Sequence, residues 1–315
     1  YMFNFKLNNI LFAGSTGFIG SYLSKNLFKD DTSSLEYNNI NGNYNTDYNY
    51  TSIQFDLTDL KKVNDWVSKS NKFDVLIFLV GLAHTKGIEN DIYKYNRINY
   101  ETLKNLISTL AENKKLPNKI IFASSISVYG EKYYQSIYDE GVVPKPINPY
   151  AVSKLKAEKY LKKNFGNISW ILRFAPVYSF EFTRNLDRRT KICGKFYKVG
   201  RGINKMFLCN VANIKVAVEG IIKDKVPSGI YNVSDMKSYT YNQLLEWHNA
   251  QSTFCIPKNL VIMLYYFGSI FRNNLLQENT IKLLKDNVYP NSKLLSFVNL
   301  PYVLNDIKFK HKNHL

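Results

Sequence analysis

The chain has 315 residues, of which 45% are hydrophobic and 15% aromatic, so it can form a sizeable core and is not an intrinsically disordered protein. Its three cysteines, Cys193, Cys209 and Cys255, are widely spaced, which indicates reduced thiols and neither a disulfide framework nor a metal site. The sequence does not open with a secretory signal pattern, and we expect a cytoplasmic protein.

The formal net charge of +17 raises the question of a nucleic-acid or anionic-membrane partner. The lysines are scattered, and only the tail KFKHKNHL (308–315) concentrates them, so we expect no specific nucleic-acid partner. A positive field would also attract a nucleoside diphosphate. The most apolar run, NLVIMLYYFGSIF (259–271), is too short to cross a bilayer, which predicts a buried or interfacial helix and no transmembrane segment.

From the N-terminus, short β-branched or aromatic runs alternate with helical stretches, the pattern of βα units around a parallel sheet. The predicted strands are residues 9–14, 33–37, 52–57, 74–83, 119–125 and 169–178, and the strand pattern at 33–37 is weak. The predicted helices are residues 18–29, 60–68, 92–113 and 149–164, and residues 38–50 are predicted to form a loop. After about residue 187, short strands at 195–199 and 229–233 mix with helices near 211–222, 242–249 and 260–270, which indicates a smaller, substrate-specific part.

The segment GSTGFIG (14–20) follows an apolar strand and begins a helix. Its glycines, Gly14, Gly17 and Gly20, would permit a tight turn and the close approach of a pyrophosphate, which the helix N-terminus would then face. The context predicts a dinucleotide site, and the alternative is an ordinary βα turn.

Two further strand ends carry candidate cofactor contacts. Asp56, followed by Leu57, could accept a hydrogen bond from an adenine amino group or could cap a helix. Gly81 and Ala83 are small enough to let a cofactor lie against the sheet edge, and the adjacent His84 is better explained as structural.

A tyrosine and a lysine lie one turn apart in NPYAVSK (148–154). Asn148 suits an N-cap and Pro149 a first helical residue, so Tyr150 and Lys154 share one helix face. A tyrosine pKa is ordinarily about 10, and an adjacent ammonium favours the phenolate, which makes Tyr150 a candidate general base. Ser125, at the end of a predicted strand, could hydrogen-bond the same substrate oxygen.

The segments GSTGFIG, FDLTD, IFASSISVYG, NPYAVSKLKAE and WILRFAPVY resemble successive landmarks of extended short-chain dehydrogenases/reductases, the nucleotide-sugar epimerase/dehydratase family, over about residues 9–235. The resemblance implies an α/β protein with a Rossmann domain, a doubly wound parallel sheet in residues 1–180 with contributions from about 205–235. A smaller C-terminal α/β lobe in residues 181–315 would bind the substrate. The implied cofactor is NAD, with NADP as the alternative, and the implied partner is a nucleotide sugar; a homodimer is left open.

The resemblance also implies site residues. The catalytic group would be Ser125, Tyr150 and Lys154, with Asn99 from the family's Asn-x-x-Thr helix. The implied cofactor contacts are Gly14, Thr16, Gly17, Phe18, Ile19, Gly20, Asp56, Leu57, Gly81, Ala83, Tyr150, Lys154 and Pro176, with Glu36 as a candidate ribose partner.

Within the family, IFASSISVYGE, the pair Asn185-Leu186 and YKVGRGINKMFLCNVANI (197–214) resemble O-antigen and capsule enzymes that epimerise or reduce C4 of UDP-linked N-acetylhexosamines. Asn185 would face the substrate diphosphate. The family's diphosphate-clamping arginine is replaced by Met206, for which Arg201 or Lys205 could compensate, although a lysine lacks the bidentate fork of arginine.

The residues after Ser125 bear on the reaction. In 4,6-dehydratases an Asp-Glu pair follows the serine, whereas this chain has Ile126 and Ser127, which disfavours dehydration. The expected function is therefore C4 epimerisation of a UDP-hexose or UDP-N-acetylhexosamine. The alternatives are reduction of a nucleotide 4-keto sugar and, disfavoured by the intact triad, a non-catalytic NAD(P)-binding regulator.

Overall fold

A computed structural model describes residues 8–27, 48–83, 91–130 and 132–306 of the chain. The strands are β1 (Asn8–Ala13), β2 (Tyr48–Ser52), β3 (Val75–Phe78), β4 (Lys119–Ser125), β5 (Ser169–Phe174), β6 (Val177–Tyr178), β7 (Lys191–Ile192), β8 (Lys195–Val199), β9 (Lys205–Phe207), β10 (Cys209–Asn210), β11 (Gly229–Val233), β12 (Ser238–Thr240) and β13 (Thr253–Ile256). The helices are α1 (Phe18–Asn26), α2 (Leu60–Lys69), α3 (Ile92–Asn96), α4 (Thr102–Glu112), α5 (Pro149–Phe165), α6 (Arg184–Thr190), α7 (Val211–Ile222), α8 (Tyr241–Trp247), α9 (Lys258–Ile270), α10 (Asn274–Leu284) and α11 (Ser292–Leu295).

Within the described residues, the main sheet has six parallel strands in the order β11-β5-β4-β3-β1-β2. The chain turns from one side of β1 to the other between β2 and β3, so the ends of β1 and β3 form the switch point at which such sheets bind ligands. The expected doubly wound α/β sheet is confirmed.

Helices cover both faces of this sheet. Side chains alternate along a strand, so Val75 and Ile77 of β3 enter the hydrophobic cluster beneath α1 and α7, whereas Leu76 and Phe78 enter the one beneath α2, α4 and α5. All four residues are buried, as expected for a parallel strand with both faces covered.

Several predicted segments differ from the observed ones. The strand predicted at 74–83 is shorter, since β3 ends at Phe78, and the strand predicted at 169–178 is divided into β5 and β6. β2 begins at Tyr48, within the predicted loop 38–50. The strand predicted at 52–57 is wrong, because β2 ends at Ser52 and the last ladder bond beyond it runs from Ile53 N–H to Phe12 O. Asp56 ends the extended segment, since its carboxylate accepts the Thr58 N–H and its carbonyl accepts the Asp59 N–H. The predicted helix 92–113 contains a π-helical turn at Arg97–Glu101 between α3 and α4. The weak strand at 33–37 lies outside the described residues.

The remaining described strands form three small sheets separate from the main one. β7, β8 and β13 form a three-stranded sheet, β9 pairs antiparallel with β12, and β10 pairs with β6. Two small hydrophobic clusters hold this part together, one around Leu208 and Leu244 and the other around Tyr197 and Val261. Among the described helices, none has the length and apolarity needed to span a membrane.

Candidate active site

The glycine loop between β1 and α1 has three glycines in three different environments. Gly14 has φ +92°, and a Cβ there would lie 2.9 Å from the Val80 backbone nitrogen. A Cβ on Gly20 would overlap the Gly14 carbonyl oxygen, so α1 packs too closely for any side chain at that position. A Cβ on Gly17 would lie 3.6 Å from the Gly14 carbonyl oxygen, an ordinary van der Waals distance, and Gly17 is exposed. These properties match a tight turn, close helix packing and a backbone that a ligand phosphate can approach.

The open side of this loop is the N-terminus of α1. Gly17 is its N-cap and supplies no side-chain cap, and Thr16 and Gly17 are exposed. Uncapped N–H groups at a helix start attract anions. Phe18 and Ile19 are partly buried and pack against the core below, and Phe18 stacks on the ring of Phe182 with centroids 4.2 Å apart. Phe182 carries no sequence signal and was not predicted.

Asp56 and Leu57 lie beyond the end of β2. The backbone N–H of Thr58 donates to Asp56 at 2.8 Å, and this hydrogen bond is the main reason that the pKa of the carboxyl is lowered. Asp56 caps no helix; the N-cap of α2 is Asp59, which accepts from Lys62 N–H at 3.2 Å. Leu57 is buried. Asp56 is therefore an exposed carboxylate whose orientation is fixed by its hydrogen bond with the Thr58 N–H.

The loop after β3 is bound to α5 through Asn99, a fully buried residue of the π turn. The Asn99 side chain accepts the Leu82 N–H at 2.6 Å and donates to Leu82 O at 3.2 Å and to Ser153 Oγ at 2.9 Å. A Cβ on Gly81 would lie 2.8 Å from Lys154 Nζ, so a side chain at this position would displace the ammonium. Ala83 lies in the same loop and is exposed.

Ser125 and Tyr150 face each other across the end of β4. Asn148 caps α5 by accepting the Ala151 N–H at 2.7 Å, and Pro149 occupies the first turn, as the sequence predicted. This start places Tyr150 in the first turn of α5, where its side chain hydrogen-bonds Ser125. Burial raises the pKa of Tyr150, and the hydrogen bond with Ser125 opposes that rise.

Lys154 lies one turn further along α5 and is buried. Its Nζ donates to Ala123 O at 2.9 Å and lies 4.9 Å from the centroid of the Phe122 ring. Burial lowers the pKa of Lys154 to about 8, and the nearby Glu158 carboxylate opposes that fall. The Ser-Tyr-Lys group, the Asn99 loop and the glycine loop thus meet at the switch point of the sheet.

The model of the NAD dependent epimerase/dehydratase family matches residues 10–234 of this chain. The chain belongs to this family. An uncharacterised UDP-glucose epimerase of Bacillus subtilis is 31% identical over 187 residues, which is 54% of this chain and 56% of that protein. The chain therefore aligns with little more than half the length of this relative.

Solved structures with the same fold cover almost the whole chain. RMD from Pseudomonas aeruginosa complexed with NADPH has a TM-score of 0.65 at 17% identity, covering 95% of this chain and 96% of that one. UDP-glucuronic acid 4-epimerase from Bacillus cereus in complex with NAD has a TM-score of 0.63 at 19% identity, covering 94% of each chain. At these identities the similarity establishes the fold.

The family motifs gave no indication that α10 would reach the site. Glu278 of α10 is buried and accepts from Asn148 Nδ2 at 2.6 Å, which ties it to the cap of α5. Lys282 forms an ion pair with Glu278 at 2.5 Å, and its charge acts to lower the pKa of Tyr150. The hydrogen bond between Asn148 and Glu278 joins residues 130 positions apart in sequence, so no local pattern could reveal it.

A buried ion pair behind Lys154 was also not predicted. Glu158 of α5 accepts two hydrogen bonds from Arg173 of β5, and its Oε1 accepts a third from Ser124 Oγ at 2.5 Å. Arg173 also lies 4.7 Å from the centroid of the Tyr129 ring. This group fixes the rear of α5 against the sheet.

The predicted substrate contacts lie further out. Asn185 is the second residue of the short α6, and its Nδ2 donates to Val177 O at 2.7 Å. Arg201 is exposed, and Lys205 is exposed on β9, where Met206 points into the core on the opposite face. The Pro176 carbonyl accepts the Cys209 N–H between β5 and β6. Glu36 lies outside the described residues.

Proposed function

We propose that this chain is an NAD(P)-dependent C4 epimerase of a UDP-hexose or UDP-N-acetylhexosamine that acts through a 4-keto intermediate. The observation that carries the proposal is the hydrogen-bonded Ser125–Tyr150 pair, with the buried Lys154 one turn further along α5. A phenol beside a hydroxyl, with a cation on the same helix face, is suited to moving a proton at a carbinol oxygen.

The residues present fit a dinucleotide. The uncapped start of α1, together with the exposed Thr16 and Gly17, would receive the pyrophosphate. Gly81 and Ala83 would lie along the nicotinamide half, and Lys154 would reach a ribose hydroxyl from below. Asp56 is suited to the adenine amino group, and Glu36 stays the predicted ribose partner that favours NAD over NADP. Bound NAD would supply the hydride acceptor for C4 of the sugar.

Each side chain of the triad has a distinct task. Tyr150 accepts the proton of the C4 hydroxyl as C4 is oxidised, and returns it to the same oxygen when C4 is reduced. Ser125 donates to that oxygen and fixes its position. Burial opposes ionisation of Tyr150, and the positive charge of Lys282 favours it. In the proposed mechanism Lys154, on the same helix face as Tyr150, supplies a second positive charge that favours the phenolate.

The residues after Ser125 favour epimerisation over loss of water. Ile126 is buried and apolar, and the Ser127 backbone N–H donates to Ser125 Oγ at 3.2 Å. Elimination across C5 and C6 needs a base and an acid beside the ring, and neither side chain can serve. We place Asn185, Arg201 and Lys205 on the substrate side, where the two cations would attract the diphosphate.

The test is Tyr150→Phe with UDP-glucose and UDP-N-acetylglucosamine, measuring the C4 epimers by NMR. Turnover should fall at least about a hundredfold, because the proton acceptor is lost, while NAD affinity measured by titration should be unchanged. Tyr134→Phe, at a residue 82% exposed, is the matched control and should behave as wild type. Normal turnover in Tyr150→Phe would refute the mechanism. NAD(P)H consumption seen only with a 4-keto sugar would instead assign the chain as a reductase.

A further inference from the structure

The apolar run at 259–271 forms α9, and the structure shows that much of this helix is on the surface. Its inward side packs through Val261 and Gly268, which are buried. Gly268 lies against α10, where a Cβ would come within 3.1 Å of the Gln277 backbone nitrogen. The close α9–α10 contact fixes which side of α9 turns outward.

The outward side of α9 and its C-cap is apolar along the whole length of the helix. We call this surface the α9 face; its large exposed side chains are Leu260, Met263, Leu264, Tyr266, Phe267, Ile270 and Phe271. They recur at the three- and four-residue spacing of one helical stripe. Ile270 is 75% and Phe271 65% exposed, and in the described part of the chain no element covers them. A contiguous apolar surface of this kind marks an interaction site.

The charged residues of α9 and of the segments that flank it have one sign. The sequence has no Asp or Glu between Glu246 and Glu278, whereas the exposed Lys258 and Arg272 lie at the two ends of α9. The whole chain carries a net charge of +17. An apolar helix face with terminal cations and no carboxylate has the composition of a helix that lies in the interface of an anionic bilayer.

We propose that the α9 face binds the surface of an anionic phospholipid bilayer, with α9 lying in the plane of the membrane. Its 13 residues correspond to about 20 Å along that plane. Charge selects this occupant over a second copy of the chain, because two chains of +17 repel each other whereas anionic lipids attract them. The proposal does not depend on the proposed function.

The arrangement brings the membrane close to the candidate active site. α10 packs on α9 and carries Glu278, whose carboxylate accepts the hydrogen bond from Asn148 at the start of α5. A bilayer bound at the α9 face would therefore lie one helix away from the element that carries Tyr150.

The experiment is sedimentation of the 315-residue chain with vesicles of phosphatidylcholine alone or with about one third phosphatidylglycerol, at about 0.1 M salt. The wild-type chain should bind the anionic vesicles at least about tenfold more strongly than the neutral ones. The variant Phe267→Asp/Ile270→Asp should bind them at least about tenfold more weakly than wild type. Val143→Asp, at an apolar residue 69% exposed outside α9, is the matched control and should bind as wild type.

Circular dichroism and the urea midpoint should be unchanged in the double variant, since both residues are exposed. If that variant does not fold, Lys258→Glu/Arg272→Glu takes its place, with severalfold weaker binding expected. Absence of wild-type binding to anionic vesicles, or equal binding by wild type and variant, would overturn the proposal. The proposal would also be overturned if sedimentation velocity showed a dimer that the α9 variants abolish and the control does not, and if the wild-type chain bound no vesicles.

Discussion

Removing the charge of Glu158 should greatly destabilise the protein. Its side chain is 3% exposed and that of Arg173 is 2% exposed, and Arg173 donates to both carboxylate oxygens, at 3.1 and 2.7 Å. Glu158→Gln keeps the shape but leaves the guanidinium buried without a counter-charge. Breaking a buried pair on one side ordinarily costs about 3–5 kcal/mol of unfolding free energy, and we expect a loss in this range.

Urea denaturation followed by circular dichroism measures this change, with two matched variants. Asp224→Asn removes the pair with Lys119, whose N–O distance is 2.8 Å, but Asp224 is 81% exposed, so the loss should be below about 1 kcal/mol. The double variant Glu158→Gln/Arg173→Met removes both buried charges and should recover most of the stability. A Glu158→Gln chain within about 1 kcal/mol of wild type would refute the reasoning.

Three further predictions concern the site. The pKa of Lys154 is about 8, so turnover should fall as the pH rises above that value. Glu158 raises this pKa, so the variant Glu158→Gln, if folded, should lose turnover at a lower pH than wild type. A profile of kcat/KM against pH measures both effects, and a flat profile up to a pH of about 10 would contradict the assignment. Gly20→Ala should lower the free energy of unfolding by about 1–3 kcal/mol and weaken NAD binding. The control Gly166→Ala, with no atom within 4 Å of its Cβ, should unfold as wild type does. Equal urea midpoints for the two variants would contradict the prediction. With UDP-hexoses, mass spectrometry should detect no product that has lost one water, and its accumulation would establish a dehydratase.

Local signals predicted the elements that form the centre of the site. The glycine spacing at 14–20, the cap residue Asn148 and the apolar run of β4 act over a few residues, and the structure has the corresponding turn, helix start and strand at those positions. The family resemblance then predicted which residues meet, and the structure brings Ser125, Tyr150, Lys154 and Asn99 together.

The sequence by itself thus determined the βα order, the glycine loop and the start of α5, because each depends on backbone sterics and hydrogen bonds between near neighbours. The position of β2, the contact of Glu278 with Asn148, the Glu158–Arg173 pair and the exposure of α9 were decided only by the tertiary structure. Each depends on which surfaces meet after the chain has folded, and an apolar run has the same composition whether a neighbour covers it or not. Burial and charge pairing are properties of the packed molecule, because they arise between residues that are distant in sequence.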